Sequence, residues 1–336
     1  MKKKGFSYAK WGYIFSIPFV VVFCLAMLYP IMYTLVIGFT EYRGALPTLK
    51  ALSDPFKNYK TVLSEELFRR SLKTTFSIWL WNFIPQIGLA LILAAWFTDD
   101  HLKLKGKGFF KVVFYMPNII TAATIALLFS SLFQFPKGVI NDILLEFKMI
   151  DEAYNFAVDP KITKGVISFI QFWMWFGYTM IVLISGILGI SPDIFEAADI
   201  DGANGFQKFV FVTLPNIKTI MLYTLVTSMI GGLQMFDIPH LYSDGGPNNA
   251  TRTAAKHIYA KGFSGAYLYD EASAASVILF IIIIILSAIL FFLMRDKDAA
   301  ILEKQKRQME KKYRQEYKAQ VAAQKAKLAE LEKEAK

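Results

Sequence analysis

The feature that most restricts this sequence is a set of six apolar stretches, each long enough to cross a bilayer. They are Gly12–Phe39, Thr74–Phe97, Phe109–Phe133, Gly165–Ile190, Ile217–Ile238 and Ser276–Met294. A helix needs about 20 apolar residues to span hydrocarbon, and each amide inside that layer must bond within its own segment. Unalternating runs of this length do not fit barrel strands of about ten residues. The charged side chains inside them, Lys111, Lys218 and Asp237, lie near the boundaries. The expectation is an all-α polytopic membrane protein with six transmembrane helices.

Charge is segregated in the same sense. Only 19% of the 336 residues are charged, against about a quarter in soluble domains. The net charge is +10, concentrated at Lys2, Lys3 and Lys4 and from Arg295 to Lys336. Basic flanks of a span suit the cytoplasmic side and anionic lipid. Basic residues do not interleave with aromatics on one surface, so nucleic acid is not an expected partner. Cys24 stands alone, which excludes an internal disulfide; it reads as a small apolar side chain facing lipid or a neighbouring helix. Gly12–Phe39 exceeds a signal-peptide core of about 7–15 residues and lacks a small-residue cleavage site, so it reads as a retained first span.

Residues 1–295 thus form a membrane domain and 296–336 a charged tail. Connections 40–73, 134–164 and 239–275 are long, 98–108 is short, and 191–216 is a compact helical segment. Arg43, Lys50, Lys57, Lys60, Arg69, Arg70 and Lys73 oppose the basic tail, so charge alone leaves the orientation open. In the tail, Met309, Tyr313, Tyr317 and Val321 recur at every fourth position, followed by Leu328 and Leu331. This narrow stripe is too irregular for sustained heptads and reads as a solvated helix or a docking helix for a cytoplasmic partner.

The segment Ser191–Pro215 carries the functional information. Ser191 is a capping residue, Pro192 suits the first helical position, and Asp193 and Glu196 complement the positive end of a short helix. Gly202 permits a reversal, Asn204 caps a second helix with an apolar face of Phe206, Phe209 and Val210, and Pro215 marks a break before the fifth span. Taken physically, this is a connector on a membrane surface. Its spacing adds more: Glu196-Ala197-Ala198, then Asp199 and Gly202, then Val212-Thr213-Leu214-Pro215 resembles the EAA loop of permease subunits in binding-protein-dependent ATP-binding cassette importers. Val212 stands where Ile is usual.

The resemblance covers roughly residues 10–295. Pro55-Phe56-Lys57-Asn58-Tyr59, Ser71-Leu72-Lys73-Thr74-Thr75 (Asn-Thr is usual at the last pair), Tyr115-Met116-Pro117, Trp175-Phe176-Gly177-Tyr178 and Gly245-Gly246-Pro247 with Ala250-Thr251 are similar to the sugar-permease branch of maltose-type and glycerol-phosphate-type importers. It implies the type I ABC importer permease fold in a bacterial cytoplasmic membrane, with residues 191–216 and both termini cytoplasmic. It also implies a second permease subunit, ATP-binding cassette ATPase subunits, an extracytoplasmic solute-binding protein and a sugar substrate. Glu196, Ala197, Ala198, Asp199, Gly202, Leu214 and Pro215 would couple to the ATPase.

No phosphate-binding G-x-x-x-x-G-K-[ST] loop occurs; Gly106-Lys107-Gly108 lacks the length and the hydroxyl. The chain is therefore expected to be neither an ATPase nor another enzyme, and to need no cofactor. His101, His240 and His257 are scattered and form no metal pattern. The rival reading is an ion-coupled carrier or channel, which would place charge inside its spans; these interiors are uncharged. A neutral, hydroxyl-rich solute needs aromatic faces and uncharged hydrogen-bonding groups. The fourth span offers Gln171, Trp173, Trp175, Tyr178 and Thr179, and the fifth Ser228, Gln234 and Asp237. Family resemblance adds Gly177 and Phe236, while Gly231 and Gly232 provide either open space or close helix packing.

Overall fold

The computed structural model describes residues 9–99, 102, 104–265, 267–294, 305–317 and 320–322. The chain divides into two compact units, Met1–Leu290 and Phe291–Lys336. The helices in chain order are α1 (Lys10–Gly38), α2 (Lys57–Ser64), α3 (Glu66–Thr98), α4 (Lys107–Ile119), α5 (Ala122–Leu132), α6 (Val139–Glu146) and α7 (Pro160–Leu188). They continue as α8 (Pro192–Ile200), α9 (205–216), α10 (Lys218–Leu233), α11 (Asp237–Ser243), α12 (Ala254–Phe263) and α13 (Tyr269–Met294). A two-stranded antiparallel pair, Thr40–Glu41 with Lys50–Ala51, follows α1.

Five helical stretches are long and apolar enough to cross a membrane: α1, α3, α7, α10 with α11, and α13. The sixth crossing differs from the continuous Phe109–Phe133 span expected from hydropathy. It consists of α4 and α5, bent by 94°. Ile120 and Thr121 are extended, and the Thr121 hydroxyl accepts from the Thr124 amide at 3.3 Å to start a new helix. Hydropathy is blind to such a break because the residues on both sides remain apolar. The fifth span is also interrupted: α10 stops at Leu233, and α11 begins at Asp237 after the irregular Phe236.

Other spans begin before their apolar runs. Asp159 accepts from the amides of Lys161 and Ile162 at 2.7 and 3.2 Å, and Pro160 takes the first helical position. Both are standard helix starters, so α7 begins ahead of Gly165. α13 likewise starts at Tyr269, which places Asp270 and Glu271 in its first turn.

α3 and α7 form the centre. One apolar cluster joins Ile78, Trp79, Ile167, Ile170, Met229 and Leu279; a second joins Ala90, Leu93, Phe97, Phe176, Met180 and Leu183. Helices in lipid gain little from hydrophobicity alone, and small residues allow the close approach that replaces it. A Cβ on Gly177 would lie 1.8 Å from the Phe114 carbonyl oxygen of α4, and one on Gly232 would lie 2.1 Å from Trp79 of α3. α1 is the opposite case. Only 6% of its most apolar stretch is buried, with Phe15 and Phe19 exposed, so lipid or another chain must cover it. Cys24 is exposed at the start of its π-turn, Cys24–Leu28.

Just past α1, an ionic clasp joins the following segment to the start of α13. Arg43 donates to Asp270 at 2.6 Å and to Glu271 at 2.9 Å; Lys261 donates to Glu271 at 2.6 Å and to Glu65 at 2.5 Å. Asp270 is fully buried. In the second unit, residues 305–317 form a helix on which Met309, Tyr313 and Tyr317 are exposed. Leu328 and Leu331 of the expected stripe, together with Lys2, Lys3, Lys4 and His101, lie outside the described residues.

Candidate functional site

The segment between α7 and α10 folds as its punctuation requires. α8 ends in a paired closure: the Gly202 amide donates to Asp199 O and the Ala203 amide to Ala198 O, both at 3.0 Å. Gly202 has φ +77°, the left-handed geometry this closure needs. Asn204 and Gln207 then form a reciprocal cap, each side chain accepting from the other's amide at 2.9 and 2.8 Å. Ser191 differs from expectation. Its hydroxyl makes no capping bond, and its carbonyl accepts from the Ile194 amide instead. Within α9, Lys208–Thr213 is π-wound, and Lys208 donates to Asp199 at 2.7 Å, tying the two helices together.

Phe195, Leu214 and Ile217 anchor this segment on the cluster formed by the ends of α3 and α7. Outward it presents Glu196, Ala197 and Pro215 with Ile200 (86% exposed), Phe206 (75%) and Phe211 (74%). Ala198 points inward and is buried. Exposed apolar patches rimmed by polar residues mark sites of contact with another protein or with the membrane.

The residues expected along the solute path separate into four places. Thr179 of α7 is buried and accepts from the Gln86 amide of α3 at 2.8 Å; Ser228 of α10 donates to Gln86 Oε1 at 3.3 Å. Three spans thereby meet at one neutral polar chain. Gln234 and Phe236 instead line a largely apolar cavity of about 380 Å³ between α12 and α13. Trp173 packs edge-on against Phe129, with Gln171 half-buried nearby in sequence, while the half-exposed Trp175 and Tyr178 meet edge to face at 6.0 Å. Gly177 and Gly232 are close-packing positions, whereas Gly231 has no neighbour within 4 Å of a built Cβ.

Gln86 is absent from the residues expected by sequence. Its signal was present: Asn82 and Gln86 are two buried amides one turn apart in an otherwise apolar span. The buried Asp270–Glu271 pair was also hidden, because it precedes the apolar run of the last span. His240 and His257 each join a different ionic group: His240 Nδ1 lies 2.9 Å from Asp244 and from Lys256, and His257 Nε2 lies 3.6 Å from Glu65.

Residues 70–298 match the family model described as binding-protein-dependent transport system inner membrane component. The chain belongs to that family. The permease is 32% identical over 250 residues to the lactose transport system permease protein LacF of Rhizobium radiobacter, covering 74% of this chain and 82% of the relative. It is 28% identical to the arabinooligosaccharides transport system permease protein AraP of Bacillus subtilis, covering 75% and 78%. Among solved structures, a bacterial ABC transporter involved in the import of the acidic polysaccharide alginate superposes with a TM-score of 0.69 at 22% identity, covering 84% of the permease and 94% of that chain. A second structure, of a bacterial alginate ABC transporter with an alginate pentasaccharide-bound periplasmic protein, gives 0.68 at 25% identity, covering 84% and 93%. The expected type I importer permease fold is therefore the fold of this chain.

Proposed function

We propose that the permease is one of two membrane-spanning subunits of an ATP-driven importer and that the pair forms the path for a neutral sugar or oligosaccharide. A binding protein delivers the sugar from outside, and ATP-binding subunits drive the cycle from the cytoplasm. In this reading residues 191–216, both termini and the 296–336 tail face the cytoplasm, residues 1–295 form the membrane domain, and α1 lies along the second permease. The observation that carries the proposal is the connector itself: anchored inward by Phe195 and Leu214, it leaves Glu196, Ala197, Ile200, Phe206 and Phe211 free for an ATPase. The names of its relatives supply the substrate class, since they transport lactose and arabinooligosaccharides. Gln86, Thr179 and Ser228 supply neutral hydrogen-bonding groups within the spans, and Trp175 and Tyr178 supply aromatic faces.

ATP binding would close the ATPase pair and turn the permeases outward to receive the sugar; hydrolysis would reset them inward. The test is uptake of labelled sugar in vesicles that contain the whole assembly. Import should require ATP inside and should survive an uncoupler while ATP is held constant. Loss of uptake under those conditions favours an ion-coupled carrier.

A further inference from the structure

A second cavity, polar where the first is apolar and of about 430 Å³, lies where the end of α5, the start of α7 and the end of α11 converge. Ser130, Gln134, Phe135, Asn155, Tyr242 and Asp244 are among the residues that line it. Its volume falls in the range of small-molecule sites, about 300–1,000 Å³. It stands at the opposite end of α7 from the coupling segment. From Thr163 to Leu188 that helix rises about 37 Å at ~1.5 Å per residue.

The walls are held by bonds of their own. Ser243 and Thr251 hydroxyls lie 2.6 Å apart, Thr251 donates to Gly246 O at 2.7 Å, and Thr163 donates to Phe156 O at 3.1 Å. By contrast, the Ser130 hydroxyl, the Gln134 amide and the Tyr242 hydroxyl make no side-chain hydrogen bond among the described residues. A fixed frame around unused neutral donors and acceptors is a place prepared for a polar ligand.

The charge balance narrows the ligand class. Asp244 is the one formally charged residue lining the cavity, and Lys256 donates to its carboxylate with His240 at 2.9 Å. Lys256 holds the Asp244 carboxyl below its usual range. No uncommitted charge remains to attract a phosphate or an ammonium group. Aromatic rings beside neutral hydroxyl and amide groups suit a hydroxylated ring with one apolar face.

We propose that this cavity is an outer saccharide subsite, which receives one end of the incoming sugar before it reaches the Gln86 chain. The inference rests on the sugar-import reading above. Its test uses membranes carrying the full assembly and a diazirine-tagged lactose, arabinotriose or maltotriose, whichever the cells import. After photolysis, label should appear on peptides containing residues 130–135 and 240–247 and be displaced by excess untagged sugar. Gln134→Ala should lower that labelling about fivefold, the worth of one hydrogen bond, and Ser130→Trp should abolish it by filling the space. Sugar import with label confined to peptides around Gln86, or unchanged labelling in both variants, overturns the subsite alone. If cells import none of the three sugars, the sugar reading falls and the subsite falls with it.

Discussion

Gln86 and Thr179 stand 93 residues apart in the chain and meet through a 2.8 Å hydrogen bond between two buried side chains. With Ser228 attached at 3.3 Å, this amide joins α3, α7 and α10. A primary amide has donors and acceptors enough for both partners at once, so the chain needs no charge to hold three spans in register.

Gln86→Leu is expected to leave the chain inserted while weakening the contact of α3 with α7. A double-mutant cycle with Thr179→Val, read by thermal unfolding in nanodiscs, should give a coupling of about 0.6–1.7 kcal/mol, the range for hydrogen bonds between membrane helices. Sugar preference of the assembled importer should change in the same variant. Zero coupling with unaltered preference would reduce Gln86 to a neighbour of Thr179.

Gly202 tests backbone geometry without steric complication. Nothing lies within 4 Å of a Cβ built there, yet φ is +77°. A left-handed side chain costs roughly 1–2 kcal/mol, and Asn tolerates that conformation better than a branched residue. Gly202→Val should therefore abolish import with normal membrane levels, and Gly202→Asn should retain more transport than Gly202→Val. Equal loss in the two would point to bulk rather than backbone.

Ala197 and Ala198 are adjacent but face opposite ways, the first exposed and the second buried. Ala198→Trp should lower the thermal stability of the permease itself, by about 1–3 kcal/mol as overpacking does. Ala197→Trp should leave that stability alone and prevent co-purification with the ATP-binding subunit. Glu196→Lys should resemble Ala197→Trp through charge repulsion at a partly desolvated contact. Stability loss in Ala197→Trp would mean that this face is not the free one.

The buried ring of His257 predicts a pH dependence. Burial pushes its pKa down to about 4, with Glu65 opposing and Arg252 and Lys261 reinforcing the shift. The unfolded chain takes the proton near the ordinary value, about 6.5, so it binds more protons than the folded chain between those limits. Stability from the neutral ring is complete above the unfolded pKa and is lost as pH falls toward 4. The wild-type melting temperature should drop between pH 7 and 4.5 by more than that of His257→Leu, a difference of about 1–3 kcal/mol. Parallel profiles would assign the acid sensitivity to the carboxylates alone.

What the sequence made legible was whatever depends on neighbours along the chain. The Gly202 closure and the Asn204–Gln207 cap follow from residues three to five positions apart, and apolar length located the spans. Contacts between distant segments were hidden. Gly177 packs against the Phe114 carbonyl and Gly232 against Trp79, and neither partner is marked by spacing. The α4–α5 bend was invisible because hydropathy averages across it. Gln86 carries a local signal, two amides one turn apart inside α3, but its partners Thr179 and Ser228 lie on other spans.

The clasp between Arg43 and the start of α13 also sets an order of events during synthesis. Arg43 reaches Asp270 across 227 residues of chain. At about 5–20 residues per second, the partner leaves the ribosome roughly 10–50 s after the arginine does. For that interval a basic side chain just past the first helix waits for two acids not yet made. The segment that follows the N-terminal helix is consequently among the first to be made and the last to be fastened, so a truncation before Asp270 leaves every earlier span present and Arg43 without either acid.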